Sequence, residues 1–198
     1  MKKKIAIYGG AFSPPHIGHA SITEAVLRLF PCDEIWLMPS ADRHDKKVSA
    51  LGRNRLEMLQ LMISELFPNP QIPILISDIE LKRGKPTITF ETKEELENKF
   101  PDYEFHFVLG SDLLDSIEEK WINGRELFDK MNFLAIKNPN ISLPDRLPSH
   151  LILLEDVVWV NISSTFVRKI VSDGFSGMPY LSKNVSGYIK KEQLYLTQ

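Results

Sequence analysis

Apolar residues fall along the chain in two rhythms. Short, nearly continuous runs rich in β-branched and aromatic residues lie at 5–8, 34–38, 72–77, 103–109, 132–136, 151–154 and 157–160. Such runs predict strands buried on both faces. Between them apolar positions recur at helical spacing. Ile22, Ala25, Val26 and Leu29 mark a helix over 20–30, and Leu56, Leu59, Ile63 and Leu66 a longer one over 51–66. Further helices are expected over 89–99, 125–130, 164–172 (stopped at Gly174) and 185–192. Strands that alternate with helices predict a doubly wound α/β fold, a mostly parallel sheet with helices on both faces. The irregular stretches 40–50 and 139–148 are too short to require a boundary, so residues 1–198 read as one domain.

Composition narrows the choice of function. The 198 residues are 43% apolar and 25% charged, enough for a sizeable core, and the formal net charge is −2. That balance excludes a binder of nucleic acid through global positive charge, so any anion site must be local. The single cysteine, Cys32, rules out an internal disulfide and fits a reducing compartment. Lysines at 2–4 precede an apolar run that Gly9 interrupts, too short for a secretory signal. No run approaches the roughly 18 apolar residues of a membrane span. The expectation is a soluble, cytoplasmic protein with no membrane or nucleic-acid partner.

In an open α/β sheet, ligands bind beyond the carboxyl ends of the strands. Three polar passages fall at such ends: 9–19, 110–112 and 161–168. The first reads GGAFSPPHIGH. Gly9, Gly10 and Gly18 allow a ligand close to the backbone, Pro14 and Pro15 stiffen the loop, and a helix N-terminus follows, which suits phosphate. His16 and His19 share one face of that first turn and can donate to charge that builds up in a transition state. The same histidines are a poor zinc site, because no third ligand is spaced to join them. His106 lies within an apolar strand and reads as a packed residue, His44 as solvated, and His150 has no chemical context. The last passage, ISSTFVR, puts Ile162, Ser163, Ser164 and Thr165 at the opening of a helix and Arg168 one turn in. Its serines are ordinary N-cap residues. Hydroxyls, N–H groups and a guanidinium meeting at one helix end also make a clamp for polyphosphate.

GGAFSPPHIGH resembles the G-G-x-F-x-P-x-H-x-G-H passage of the nucleotidyltransferase superfamily, in particular the nicotinate/nicotinamide mononucleotide adenylyltransferases. ISSTFVR resembles the late I-S-S-T-x-x-R motif of that family. The likeness extends over nearly the whole chain, to GYIKKEQLY at 187–195. It implies a Rossmann-like fold in which His16, His19 and Arg168 are catalytic. Gly9, Gly10, Ala11, Phe12, Gly18, Gly110, Asp112 and Ile162 through Thr165 would bind ATP, although Asp112 by itself reads equally as a helix cap. It also implies a mononucleotide side formed by Lys46, Arg55, Thr89, Thr92 and Trp121, the last on a one-residue shift. For neighbouring Lys47 and Arg53 a solvated face is the ordinary reading. Two positions depart from the pattern: Ser13 stands where many members carry Asp, and Ile88 where a tyrosine is usual.

The reaction so implied is attack of a pyridine mononucleotide phosphate on the α-phosphorus of ATP, with loss of pyrophosphate. Mg²⁺ is expected to be held mainly by ATP, with no protein metal site. A homo-oligomer is compatible with the sequence. The rival readings are an adenylyltransferase for another phosphorylated substrate such as phosphopantetheine, and a nucleotide sensor without catalysis. An aminoacyl-tRNA synthetase is disfavoured by the length and by the lack of a lysine-rich signature loop. A Rossmann oxidoreductase is disfavoured because the G-x-G-x-x-G spacing is missing.

Overall fold

The computed structural model describes residues 1–41 and 49–196. Among them six strands form one parallel sheet: β1 (Lys3–Gly10), β2 (Glu34–Pro39), β3 (Ile74–Ile76), β4 (Tyr103–Gly110), β5 (Asn132–Ile136) and β6 (His150–Leu154). Their order is β3-β2-β1-β4-β5-β6. The chain winds outward from β1 in one direction and from β4 in the other, so the ends of these two central strands flank the point where the winding reverses.

Register follows from side-chain alternation. Ile7 stands between Trp36 and Phe107, and Phe107 beside Phe133. One residue on, Tyr8 stands between Leu37 and Val108, and Val108 beside Leu134. The two rows face opposite sides of the sheet and enter separate cores. Helices α1 (Ile17–Leu29), α2 (Gly52–Leu66), α7 (Ser164–Ser172) and α8 (Lys183–Lys191) cover the first through Val26, Met58, Leu59, Met62, Val167, Val171, Val185 and Ile189. The short α3 (Ile79–Lys82), with α4 (Thr89–Lys99), α5 (Leu114–Lys120) and α6 (Gly124–Lys130), covers the second through Ile79, Leu96, Leu114, Ile117, Leu127 and Phe128. A register slip of one residue would exchange the two rows and set each against helices packed for the other, a mismatch of the overpacking and cavity kind.

The expected fold class holds, with differences in detail. Residues 157–160 do not form a strand. Side chains of α1 hold this segment and the residue before it: Ser21 Oγ donates to the Val158 carbonyl at 2.5 Å, and Arg28 holds the preceding Asp156 through its carboxylate and its carbonyl, both at 2.8 Å. Val158 stays 69% exposed, so the segment also lacks the burial that rewards a strand. Helix α1 starts at Ile17 rather than at residue 20, with His16 as its extended N-cap. Helices α3 and α5 were not expected. Among the described residues no helix is long and apolar enough to cross a membrane.

Candidate active site

The loop after β1 folds back over its own strand. Phe12 takes a positive φ of 47°, rare for a bulky residue and held only where surroundings enforce it. Here they do. Its ring is fully buried, edge-on to Tyr8 at 5.5 Å and 4.9 Å from the His19 ring. A Cβ at Gly10 would lie 3.3 Å from that ring, so the glycine makes room for it. Beyond Phe12, Ser13, Pro14 and Pro15 are buried and lead into the N-cap of α1.

His16 and His19 lie side by side, with ring centroids 3.8 Å apart. The His16 backbone N–H donates to Nδ1 of His19 at 3.1 Å. With Nδ1 accepting, a neutral His19 ring carries its proton on Nε2 and has that N–H to donate. His16 is 6% exposed, and its Nδ1 is buried with no partner among the described residues. That is costly unless a ligand supplies the partner. Burial pushes the His16 pKa down to about 4. Burial also holds His19 well below the usual range, and the neighbouring His16 adds to this. Both rings are therefore neutral at pH 7, and can meet an anionic ligand as hydrogen-bond donors without carrying a fixed charge.

The N-terminus of α7 docks on this loop from the far end of the chain. Ser163 caps the helix by accepting from the Phe166 N–H at 3.2 Å. Ser164 Oγ donates to the Pro14 carbonyl at 2.9 Å. Arg168 donates through Nη1 to the Ser13 carbonyl at 2.7 Å and through Nη2 to Thr165 Oγ1 at 3.0 Å. The approach is close enough to depend on Gly18, whose added Cβ would meet Ile162 Cγ2 at 2.9 Å and the His16 ring at 3.1 Å. The two motifs thus form one cradle at the carboxyl end of β1, containing His16, His19, Ser164, Thr165 and Arg168.

The cytidylyltransferase-like family profile matches residues 7–170. A relative from Bacillus licheniformis, named a "probable nicotinate-nucleotide adenylyltransferase", is 34% identical over 98% of this chain and 100% of its own. One of the same name from Oceanobacillus iheyensis is 31% identical over 98% and 97%. The chain belongs to the nicotinate-nucleotide adenylyltransferases of this cytidylyltransferase-like family. Among solved structures, the Plasmodium falciparum nicotinic acid mononucleotide adenylyltransferase complexed with NaAD superposes with a TM-score of 0.83, at 27% identity over 98% of this chain and 97% of that one.

The other expected site residues of this adenylyltransferase are spread over neighbouring loops. Gly9, the last residue but one of β1, is exposed, with nothing within 4 Å of an added Cβ. Gly110 ends β4, and an added Cβ there would stand 2.2 Å from Asp112 Oδ1. Asp112 is exposed and caps neither the short 3₁₀ turn Ser111–Leu113 nor α5. Arg55 is buried and braces three loops, donating to the carbonyls of Ala11 (3.0 Å), Ser40 (2.5 Å) and Ala50 (3.1 Å). Beside it opens a cavity of about 470 Å³ lined by Ala41, Ala50, Arg55, Leu81, Gly84 and Lys85. Thr89 opens α4, half-buried. Thr92 points inward and donates to Glu80 Oε1 at 2.8 Å, while Arg83 donates to Thr92 at 3.1 Å. Trp121 ends α5, half-buried and 6.5 Å from Phe133 in an edge-on contact. Lys46, with Lys47 and His44, lies outside the described residues. His106 packs on Phe30 at 4.8 Å, as its strand position implies.

Sequence reasoning missed Glu80. It is 6% exposed, bound by Thr87 and Thr92, and burial raises its pKa. It also passed over Tyr195, whose hydroxyl lies 3.0 Å from Ser13 Oγ. A larger open depression of about 660 Å³ lies between α5 and α6, but its lining charges pair among themselves, Glu118 with Arg125 and Glu126 with Lys130.

Proposed function

We propose that this adenylyltransferase joins ATP and nicotinate mononucleotide to give the dinucleotide and pyrophosphate in NAD biosynthesis, as a single cytoplasmic nucleotidyltransferase domain. The observation that carries this reading is the convergence of ISSTFVR on the histidine loop, with Arg168 2.7 Å from the Ser13 carbonyl. The nicotinate form of the substrate follows the names of the relatives.

A phosphate oxygen of the mononucleotide attacks the α-phosphorus of ATP. The bond from the α-phosphorus to the bridging oxygen breaks, and pyrophosphate leaves with the electron pair. The nucleophile is already ionised near neutral pH, so no general base is needed. What the protein must supply is alignment of two anions and stabilisation of the departing charge. His16 and His19, as neutral donors, serve the α- and β-phosphates, and Arg168 the outer ones. Gly9 through Phe12 let the triphosphate approach the backbone, Gly18 seats Ile162 and the His16 ring close together, Ile162 through Thr165 receive the far end of the triphosphate, and Gly110 and Asp112 meet the adenosine. The resemblance assigns the mononucleotide side to Lys46, Arg55, Thr89, Thr92 and Trp121; of these Arg55 lines the cavity of about 470 Å³, and Lys46 lies outside the described residues. The donor set of the cradle is imidazoles, hydroxyls and a guanidinium, which suits phosphate oxygens. Mg²⁺ would enter with ATP, held by its phosphates, and would supply neutralisation of the charge on the departing pyrophosphate.

The test is pyrophosphate release with ATP and, in turn, nicotinate mononucleotide, nicotinamide mononucleotide and phosphopantetheine. The expected result is turnover with the highest kcat/KM for nicotinate mononucleotide. Binding of ATP without release in any of the mixtures would identify a sensor instead.

A further inference from the structure

The turn after α8 reaches back to the phosphate loop, and the chemistry proposed above leaves it without a role. Helix α8 is fixed to α2. The Glu65 carboxylate accepts the N–H groups of Lys183 (2.8 Å) and Asn184 (2.7 Å), and the Tyr188 hydroxyl donates to Asn54 Oδ1 at 3.3 Å. The chain then reverses, with the Leu194 N–H on the Ile189 carbonyl at 3.0 Å and with Gln193 and Tyr195 at φ of 52° and 64°. Left-handed backbone is uncommon for a tyrosine and persists where tertiary contacts fix it.

The contact that fixes it is in the site. The Tyr195 hydroxyl lies 3.0 Å from Ser13 Oγ, and Ser13 is 1% exposed. The Ser13 carbonyl in turn holds Arg168. Arg168 and Arg55 both bear electrostatically on the phenol, yet burial dominates and pushes its pKa up to about 12, so the hydroxyl stays protonated at working pH. Two aromatic residues with positive φ, Phe12 and Tyr195, thus bracket the same serine.

We propose that Tyr195 is a positioning residue: through Ser13 it fixes the phosphate loop and the Arg168 guanidinium in the geometry that receives the triphosphate of ATP. In its kinetic consequences the proposal rests on the function argued above; its binding consequences need only that the cradle takes ATP.

Tyr195→Phe removes the hydroxyl and keeps the ring. Calorimetric binding of a non-hydrolysable ATP analogue should weaken about 5–10-fold, the scale of one lost buried hydrogen bond, with the melting temperature close to wild type. KM for the mononucleotide should be unchanged while KM for ATP rises. Ser13→Ala should give the same shift, and the double variant no more than either single one, because one contact links the two residues. Unaltered analogue affinity in Tyr195→Phe, or shifts that add in the double variant, would overturn the proposal. Should Tyr195→Phe not fold, Ser13→Ala decides alone, its wild-type affinity for the analogue counting against the role. Analogue binding needs no turnover. A wild-type protein that binds the analogue but forms no dinucleotide therefore removes the function proposed above, while the binding comparison still decides the role of Tyr195.

Discussion

The backbone N–H of His16 is bonded to Nδ1 of His19, at 3.1 Å. A cap interaction within α1 thereby selects the tautomer of the neighbouring ring, leaving Nε2–H as the donor of a neutral imidazole. If that donor meets charge that grows as pyrophosphate leaves, its loss should act on kcat more than on affinity. His19→Ala is expected to lower kcat by about 10²–10³-fold with a modest change in ATP affinity. Glutamine can place an amide N–H near the Nε2 position, so His19→Gln should retain more activity than His19→Ala. Steady-state kinetics of the three proteins check this. Equal turnover in wild type and His19→Ala would remove the role.

The depressed histidine pKa values make a separate prediction about pH. An unfolded His16 titrates near 6.5 and the folded one near about 4. Between those values the unfolded chain binds the extra proton, so stability falls as pH drops from 6.5 towards about 4. His16 alone accounts for about 3 kcal/mol across that window, and His19, shifted in the same direction, adds to it. Denaturant unfolding at a series of pH values measures the slope, and His16→Ala should flatten it. Proton NMR of the free protein should show the His16 ring titrating far below pH 6. A midpoint near 6.5 would show that the ring is solvated.

The reach of the sequence is uneven for physical reasons. Strands buried on both faces appear as apolar runs, and Ile5 to Tyr8 or Phe105 to Leu109 could hardly be read otherwise. Residues 157–160 are similarly apolar, but lie past the edge strand β6, where Ser21 takes up the Val158 carbonyl and Arg28 that of the preceding Asp156. Helix α5 did leave a signal, in Leu114, Ile117 and Trp121 at spacings of three and four, interrupted by a polar run. Within the site, the contiguous motifs were legible because a phosphate loop needs its glycines and histidines close together in sequence. The pairing of Ser13 with Tyr195 spans 182 positions, and Arg55 braces carbonyls up to 44 positions away. Neither leaves a local pattern: the first joins two hydroxyls far apart in sequence, and the second ends on carbonyls, which impose no residue type on the acceptor.

Gly18 and Gly9 provide a paired test of why glycines occupy this loop. An added Cβ at Gly18 would press into Ile162 and the His16 ring, so Gly18→Ala must push α7 and α1 apart. Overpacking of this kind costs about 1–3 kcal/mol, and the same displacement should reduce kcat/KM at least tenfold. At Gly9 an added Cβ meets nothing within 4 Å. Gly9→Ala should therefore melt like wild type, yet raise KM for ATP if the ligand passes over that backbone. Thermal unfolding together with ATP kinetics separates the two glycines. Wild-type kinetics in Gly9→Ala would show that ATP does not approach there.

Arg168 uses its fork twice within the protein, on the Ser13 carbonyl at 2.7 Å and on Thr165 Oγ1 at 3.0 Å. A guanidinium has five N–H donors in a plane, so it can keep both bonds and still turn others to a phosphate. A lysine ammonium has its donors on one atom and must choose between bracing the loop and meeting the ligand. Arg168→Lys, although it preserves the charge, is therefore expected to raise KM for ATP about 10–100-fold, with KM for the mononucleotide little changed. The melting temperature should stay within a few degrees of wild type, because the side chain is only partly buried. A lysine variant with wild-type KM for ATP would mean that charge alone suffices at this position. The fixed geometry from Ser13 to Arg168 would then have no part in binding the triphosphate.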